Sequence, residues 1–167
     1  MMVLEAKRCG VDAGKFHSFK ADTLASKNSP AYWDLSEEPT TSQYELFKKY
    51  DKFGKEEYRE LAEYCRELDI MFLSTPFDFE SVDYLDEFMD IFPVSSSDLT
   101  NIPFIKYIAS KNKPMLLTTG GATINEIRQA VRTIEDVSTV DIAIIHSISS
   151  YPTDYVDANL LMIKDLL

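Results

Sequence analysis

The sequence has 167 residues, a net charge of −11 and 45% hydrophobic residues. That size supports about one domain with a sizeable core, and the apolar share excludes wholesale disorder. The acidic balance argues against a nucleic-acid binder or a binder of anionic membranes, because phosphate-rich partners need clustered Lys and Arg.

Taken in chain order, Val11 to Phe19 is the first β-rich run. The segment Lys20 to Lys55 is polar and aromatic, with Tyr32, Trp33, Tyr44, Phe47, Tyr50 and Phe53, and is punctuated by Pro30, Pro39 and Gly54. A long insertion after a strand is expected to be a functional lid or a mobile loop. Tyr58, Leu61, Ala62, Cys65 and Leu68 recur at helical spacing, and the charged stretch Lys48 to Glu67 reads as a solvated helix face with i, i+4 pairs. Ile70 to Thr75 is the second run, closed by Pro76, and Val82, Leu85 and Phe88 mark a short helix.

Ile91 to Ser95 is the third run, weakened by Pro93, which has no N–H for a ladder. Ile102, Ile105 and Ile108 mark a helix with Pro103 in its first turn, where a missing N–H costs little. Met115 to Thr119 is the fourth run, closed by Gly120-Gly121. Thr123 and Glu126 form a capping box ahead of the helical series Ile124, Ile127, Val131 and Ile134. Val140 to His146 is the fifth run, and Leu160, Ile163 and Leu167 predict a final helix. The apolar second, fourth and fifth runs suit strands buried on both faces, and the β–α alternation predicts a parallel sheet with right-handed crossovers.

No apolar run approaches the ~18 residues of a membrane span. Met1 to Ala6 lacks the layout of a signal peptide, so a cytoplasmic protein is expected. Cys9 and Cys65 are then expected to be free, buried thiols on helices. With two histidines and two dispersed cysteines, a structural zinc site is not expected.

In parallel α/β folds ligands bind at the carboxyl ends of strands. Those ends carry Lys15, His17 and Ser18; Ser74 and Thr75; Ser95, Ser96, Ser97 and Asp98; Thr118, Thr119, Gly120 and Gly121; and His146, Ser147, Ser149, Ser150 and Tyr151. Hydroxyls, glycine N–H groups, helix starts and one lysine suit a small phosphorylated ligand. Each feature also has a plain structural reading. The glycines serve an ordinary strand–helix turn, the serines and Asp98 cap the next helix, and His17 and His146 are hydrogen-bonded barrel-end histidines. Asp98 is alternatively a general acid or base. Lys15 in a β-like run is expected to point inward and to need a partner or an anion.

The ordered phrases Gly10-Val11-Asp12-Ala13-Gly14-Lys15-Phe16, Phe19 to Leu24, Phe72-Leu73-Ser74-Thr75-Pro76-Phe77-Asp78, Ser96 to Asn101, Thr118-Thr119-Gly120 and His146 to Thr153 resemble the sialic acid synthase family. That family includes N-acetylneuraminate, pseudaminic and legionaminic acid synthases and spore-coat polysaccharide biosynthesis proteins. The resemblance implies an α/β fold, a partial TIM (β/α)8 barrel of about strands two to six with outer helices. It implies one incomplete domain over residues 1–167, truncated at both ends and without the family's antifreeze-like domain.

The implied reaction condenses phosphoenolpyruvate with an N-acetylated amino sugar to a nine-carbon 2-keto sugar acid, releasing phosphate. By resemblance, Lys15, Thr75, Ser96 and Thr118 bind phosphoenolpyruvate, and Asp98 is catalytic. His17, Ser149 and Tyr151 contact the sugar. The family uses a divalent metal, Mn or Mg, whose two histidine ligands belong to strands that the resemblance places outside this chain; His146 matches neither. His17 stands where the family usually has Gln, Pro93 where it has a second phosphate-binding lysine, and Gly121 where it has Met. The isolated chain is therefore expected to be inactive. The alternative is a non-catalytic α/β binding or oligomerisation module, a homodimer joined through open sheet edges. A doubly wound nucleotide-binding domain is disfavoured because the chain has no Gly-x-Gly-x-x-Gly.

Overall fold

Side chains alternate across a strand, so Lys15-Phe16-His17 sends one aromatic ring to one face and two basic groups to the other. This strand, β1 (Ala13–Ser18), pairs in parallel with β2 (Met71–Pro76), with Lys15 opposite Leu73 and His17 opposite Thr75. The computed structural model describes residues 2–150 and 152–166. It divides into two compact units, Met1–Phe88 and Met89–Leu167.

The first unit begins with α1 (Met2–Arg8), and β1 follows. Two short helices, α2 (Ala21–Leu24) and α3 (Gln43–Tyr50), lie in the long excursion after β1. The crossover to β2 is α4 (Lys55–Glu67), and α5 (Phe79–Asp86) follows β2. Helix α4 buries Tyr58, Ala62 and Cys65 on one face, as the spacing predicts. Glu56 and Glu57 in its first turn complement the helix dipole, and Glu57 accepts the Gly54 N–H at 2.8 Å. Asp78 caps α5 by accepting the Ser81 N–H at 2.7 Å. The core joins Phe72 of β2 to Phe16 (centroids 5.6 Å apart) and Phe88 (5.9 Å), with Val82 and Leu85 fully buried beside them.

The second unit is a three-stranded parallel sheet, β3 (Phe92–Val94), β4 (Met115–Thr118) and β5 (Ile142–Ile145), in that order. Helix α6 (Ile102–Ala109) connects β3 to β4, and α7 (Ile124–Glu135) connects β4 to β5. Phe92, Val94, Met115 and Leu117 share the face that packs against buried Phe104, Ile105, Ile108, Ile127 and Ile134. The N–H of Phe92 bonds the Pro114 carbonyl at 2.9 Å, so Pro93 presents its missing donor to the other edge of β3 and removes no bond from the β4 ladder. The three strand pairings are all parallel, as the β–α alternation predicts, and the α/β fold is consistent with a partial (β/α)8 barrel.

The capping box of α7 forms in both directions. Glu126 N–H bonds Thr123 Oγ1 at 3.3 Å, and Thr123 N–H bonds Glu126 Oε2 at 2.7 Å. Replacing Thr123 by alanine should cost about 1 kcal/mol, lowering the midpoint of thermal unfolding by roughly 2–8 °C. Calorimetry of wild type and variant checks this.

Four expectations need correction. Residues Leu160–Asp165 form a 3₁₀ turn rather than an α-helix, because i, i+3 spacing serves a three-residue turn equally well; Leu167 lies outside the described residues. Strands β4 and β5 alternate instead of being buried on both faces: every second residue of β4 is only half-buried, and β5 alternates half-buried and exposed residues, as in strands with one packed face. Cys9 follows α1 in a turn and is exposed, whereas Cys65 is buried. Among the described residues the charges of Lys48 to Glu67 pair at i, i+3 (Lys48–Asp51, Arg59–Glu56) and with the distant Lys20, Asp22, Glu38 and Glu87, with no i, i+4 ion pair. Among the described residues no helix is long and apolar enough to cross a membrane.

Candidate functional site

Each unit presents its own strand ends. In the first, parity decides which hydroxyls are available. Ser18 and Ser74 share the helix-facing side of the sheet, fully buried, with their hydroxyls 2.7 Å apart. Both were candidates by position, and both belong to the packing instead. Lys15, His17 and Thr75 share the opposite face. Thr75 is buried, whereas Lys15 lies on the expected face, away from the helices, but is exposed. Among the described residues Lys15 has no ion-pair partner, which leaves its charge for an external anion.

His17 keeps an exposed residue surface, yet its ring sits edge-on to Phe77 at 5.5 Å. That local burial, followed by the Lys15 charge, holds the imidazole below its ordinary value, so it is neutral near pH 7. Tyr58 donates its hydroxyl to the His17 carbonyl at 2.7 Å. Burial pushes the Tyr58 phenol up to about 12, so it remains a donor. Tyr58 is a functional-end residue that periodicity marks only as core; nothing in its spacing announces the contact.

In the second unit three strand ends converge on Gly120. Its N–H donates to Ser96 Oγ at 2.9 Å, and Ser96 Oγ lies 3.3 Å from Ser147 Oγ. A β-carbon at Gly120 would lie 2.5 Å from Ser149 Oγ, 3.1 Å from Ser96 Oγ and 3.2 Å from Ser147 Oγ. Three hydroxyls from two strand ends therefore surround a backbone position that only glycine vacates. The adjacent Gly121 has φ of 74°, a left-handed conformation that glycine takes without strain. Ser147 was visible as a strand-end residue, but the sequence assigned it no role.

Thr118 Oγ1 donates to the Val94 carbonyl at 2.7 Å, and Thr119 Oγ1 to the Ile145 carbonyl at 3.1 Å; these two tie β4 to its neighbours. Ser95 caps the 3₁₀ turn Ser96–Asp98 by accepting from Ser97 N–H, and Ser97 Oγ lies 2.9 Å from it. Asp98 is half-buried in that turn. Burial raises its carboxyl above the ordinary range, while hydrogen bonds from Asn101 (3.4 Å) and Ser97 oppose the shift. His146 Nε2 is 2.8 Å from the Ala158 carbonyl, in keeping with the reading of a hydrogen-bonded histidine. Tyr151 lies outside the described residues. Among the described residues no group of three or more His, Cys, Asp or Glu is placed to hold a metal ion, so these side chains do not fit the implied Mn or Mg site.

Comparison with known proteins matches residues 2–167 to the model of the NeuB family. The chain belongs to the NeuB family. An uncharacterized protein of Methanocaldococcus jannaschii is 42% identical over 166 residues, covering 99% of this chain and 45% of that protein. The N,N'-diacetyllegionaminic acid synthase of Legionella pneumophila is 35% identical over 172 residues, covering 99% of this chain and 48% of the synthase. The crystal structure of the N-acetylneuraminic acid synthetase of Leptospira borgpetersenii, in complex with citrate, superposes with a TM-score of 0.85 at 28% identity. That match covers 99% of this chain and 53% of the synthetase. The chain thus spans about half the length of the NeuB-family relatives it matches. The sialic acid synthase resemblance read from the strand-end phrases is confirmed.

Proposed function

We propose that this chain supplies the phosphoenolpyruvate end of a synthase that makes nine-carbon 2-keto sugar acids. The observation that carries the proposal is the hydroxyl cluster around Gly120. Ser96, Ser147, Ser149 and a backbone N–H are gathered where three parallel strands end, the position at which such folds bind ligands. Hydroxyls and N–H groups that are rigidly held before a ligand arrives stabilise anionic oxygens at low reorganisation cost.

In this reading, which for these roles rests on the resemblance, Lys15, Thr75, Ser96 and Thr118 bind phosphoenolpyruvate. His17, Ser149 and Tyr151 bind an N-acetylated amino sugar. The reaction joins C3 of phosphoenolpyruvate to the sugar's aldehyde carbon; water adds at C2, and the C–O bond to phosphate breaks. Asp98 is suited to accept a proton in this reading, because burial raises its carboxyl above the ordinary range and so makes its carboxylate a stronger base. No step is assigned to a metal. The described residues form five strands, whereas a complete barrel has eight, so the chain alone is proposed to bind without turning over.

The test is thermal unfolding with and without phosphoenolpyruvate. Ligand at about a hundred times its dissociation constant should add roughly 2.7 kcal/mol to stability. Steady phosphate release that requires the amino sugar would overturn the claim of an inactive chain. A second reading, a self-associating module, is favoured by the exposed Ile145, Leu160, Leu161 and Ile163. Unchanged unfolding with phosphoenolpyruvate, together with concentration-dependent sedimentation, would select it.

A further inference from the structure

The excursion over residues 20–53 is closed on itself. The Asp51 side chain is only 4% exposed and lies between the two ends of the excursion. Its Oδ2 accepts the Ala21 N–H at 3.0 Å, its Oδ1 lies 2.9 Å from Lys20 Nζ, and Lys48 Nζ is 3.8 Å from Oδ2. Lys20 Nζ also donates to the Phe53 carbonyl at 2.7 Å, a second bond across the same neck. Beyond the neck, Ala31 N–H bonds Thr41 O and Gln43 N–H bonds Ser29 O, each at 3.0 Å. The Trp33 indole N–H is shared between the carbonyls of Glu38 and Thr40.

Two contacts carry this neck to the strand ends. Thr23 Oγ1 donates to Asp78 Oδ2 at 2.9 Å, and Asp78 is the cap of α5 just past β2. On the other side the Phe53 ring packs edge-on to Tyr58 at 5.6 Å, and Tyr58 holds the His17 carbonyl.

We propose that Asp51 is a positioning residue: its carboxylate locks the neck of the 20–53 lobe and so holds that lobe as a fixed wall beside the carboxyl ends of β1 and β2. The lobe is then neither a hinged lid nor a mobile loop. Its effect on ligand rests on the reading that Lys15 and Thr75 bind phosphoenolpyruvate; its effect on the lobe does not. Burial raises the Asp51 carboxyl, but the Ala21 N–H, Lys20 and Lys48 outweigh it and hold the group below its ordinary value. The lock is therefore charged at neutral pH, facing Lys20 and Lys48, with the Tyr58 phenol close by.

The experiment uses the whole 167-residue chain as wild type, Asp51→Asn and Asp51→Ala. Asparagine keeps an acceptor for Ala21 and removes the charge that holds both lysines. The expected result is tryptic cleavage after Lys27 at least tenfold faster in both variants, with far-UV circular dichroism unchanged. The His17 imidazole resonance should shift, and the dissociation constant for phosphoenolpyruvate should rise about five- to tenfold. In the wild type, the Ala31 and Gln43 amides should exchange slowly with solvent; fast exchange there would overturn the proposal whatever the variants do. Unchanged cleavage and an unchanged His17 resonance would also overturn it. If wild type fails to bind phosphoenolpyruvate, the functional reading falls, while cleavage, exchange and the His17 signal still decide the role of Asp51.

Discussion

Replacing Gly120 by alanine should abolish phosphoenolpyruvate binding at concentrations that saturate the wild type, a loss of at least a hundredfold. The new methyl group has no free space. It would stand 2.5 Å from Ser149 Oγ and just over 3 Å from the hydroxyls of Ser96 and Ser147. Ser149 is exposed and can rotate away, so the fold itself should lose only about 1–3 kcal/mol, as in other modest overpackings. The binding geometry has no such escape. Ser96 receives the Gly120 N–H and approaches Ser147, so moving one hydroxyl disperses the group. Placement errors of about 1 Å in a preorganised site cost on the order of a hundredfold. Thermal unfolding of the variant with and without ligand checks both halves of this prediction. An unfolding midpoint that still climbs with phosphoenolpyruvate, as in wild type, would remove the hydroxyl cluster from the proposed site.

How far this site could be read in advance depended on which property set each residue. Short β-rich or apolar runs closed by turn residues located the strands, and helical spacing located α4 to α7, because burying one stripe of a helix leaves a repeating mark. The capping box of α7 was legible for the same reason, as its two residues lie three apart in the chain. The Leu160 segment was misread because spacing of three does not separate an α-helix from a 3₁₀ turn. The strand-end hydroxyls were found as a set, but their division was not seen. Ser18 shares the parity of Phe16, so it had to turn to the packed side with Ser74, and this could have been counted from the alternation alone.

Gly120, Ser147 and Asp51 are different cases. Their roles come from atoms that are distant in sequence: Ser96 lies 24 residues from Gly120, and Ala21 lies 30 residues from Asp51. No local pattern encodes such a meeting. The strand-end phrases identified the family all the same, because a resemblance compares positions directly and does not need the contacts that give them meaning.

Lys15→Met should separate binding from folding most cleanly. The lysine is exposed and, among the described residues, forms no ion pair, so its removal should leave the unfolding midpoint in place or raise it slightly. A hydrogen bond to a charged group contributes about 1.5–3 kcal/mol, so phosphoenolpyruvate affinity should fall by roughly 10- to 150-fold. This chain should feel the loss keenly, because Pro93 stands where the resemblance places a second phosphate-binding lysine. The same substitution has a second readout that needs no ligand. The imidazole of His17 is held low first by burial and then by the Lys15 charge. Removing that charge leaves burial alone, so the His17 pKa should rise while staying below the ordinary histidine value. A proton NMR titration of the His17 ring measures this directly. An unmoved titration would mean that Lys15 turns away from His17 in solution, and phosphoenolpyruvate bound as tightly as by wild type would withdraw Lys15 from the anion site.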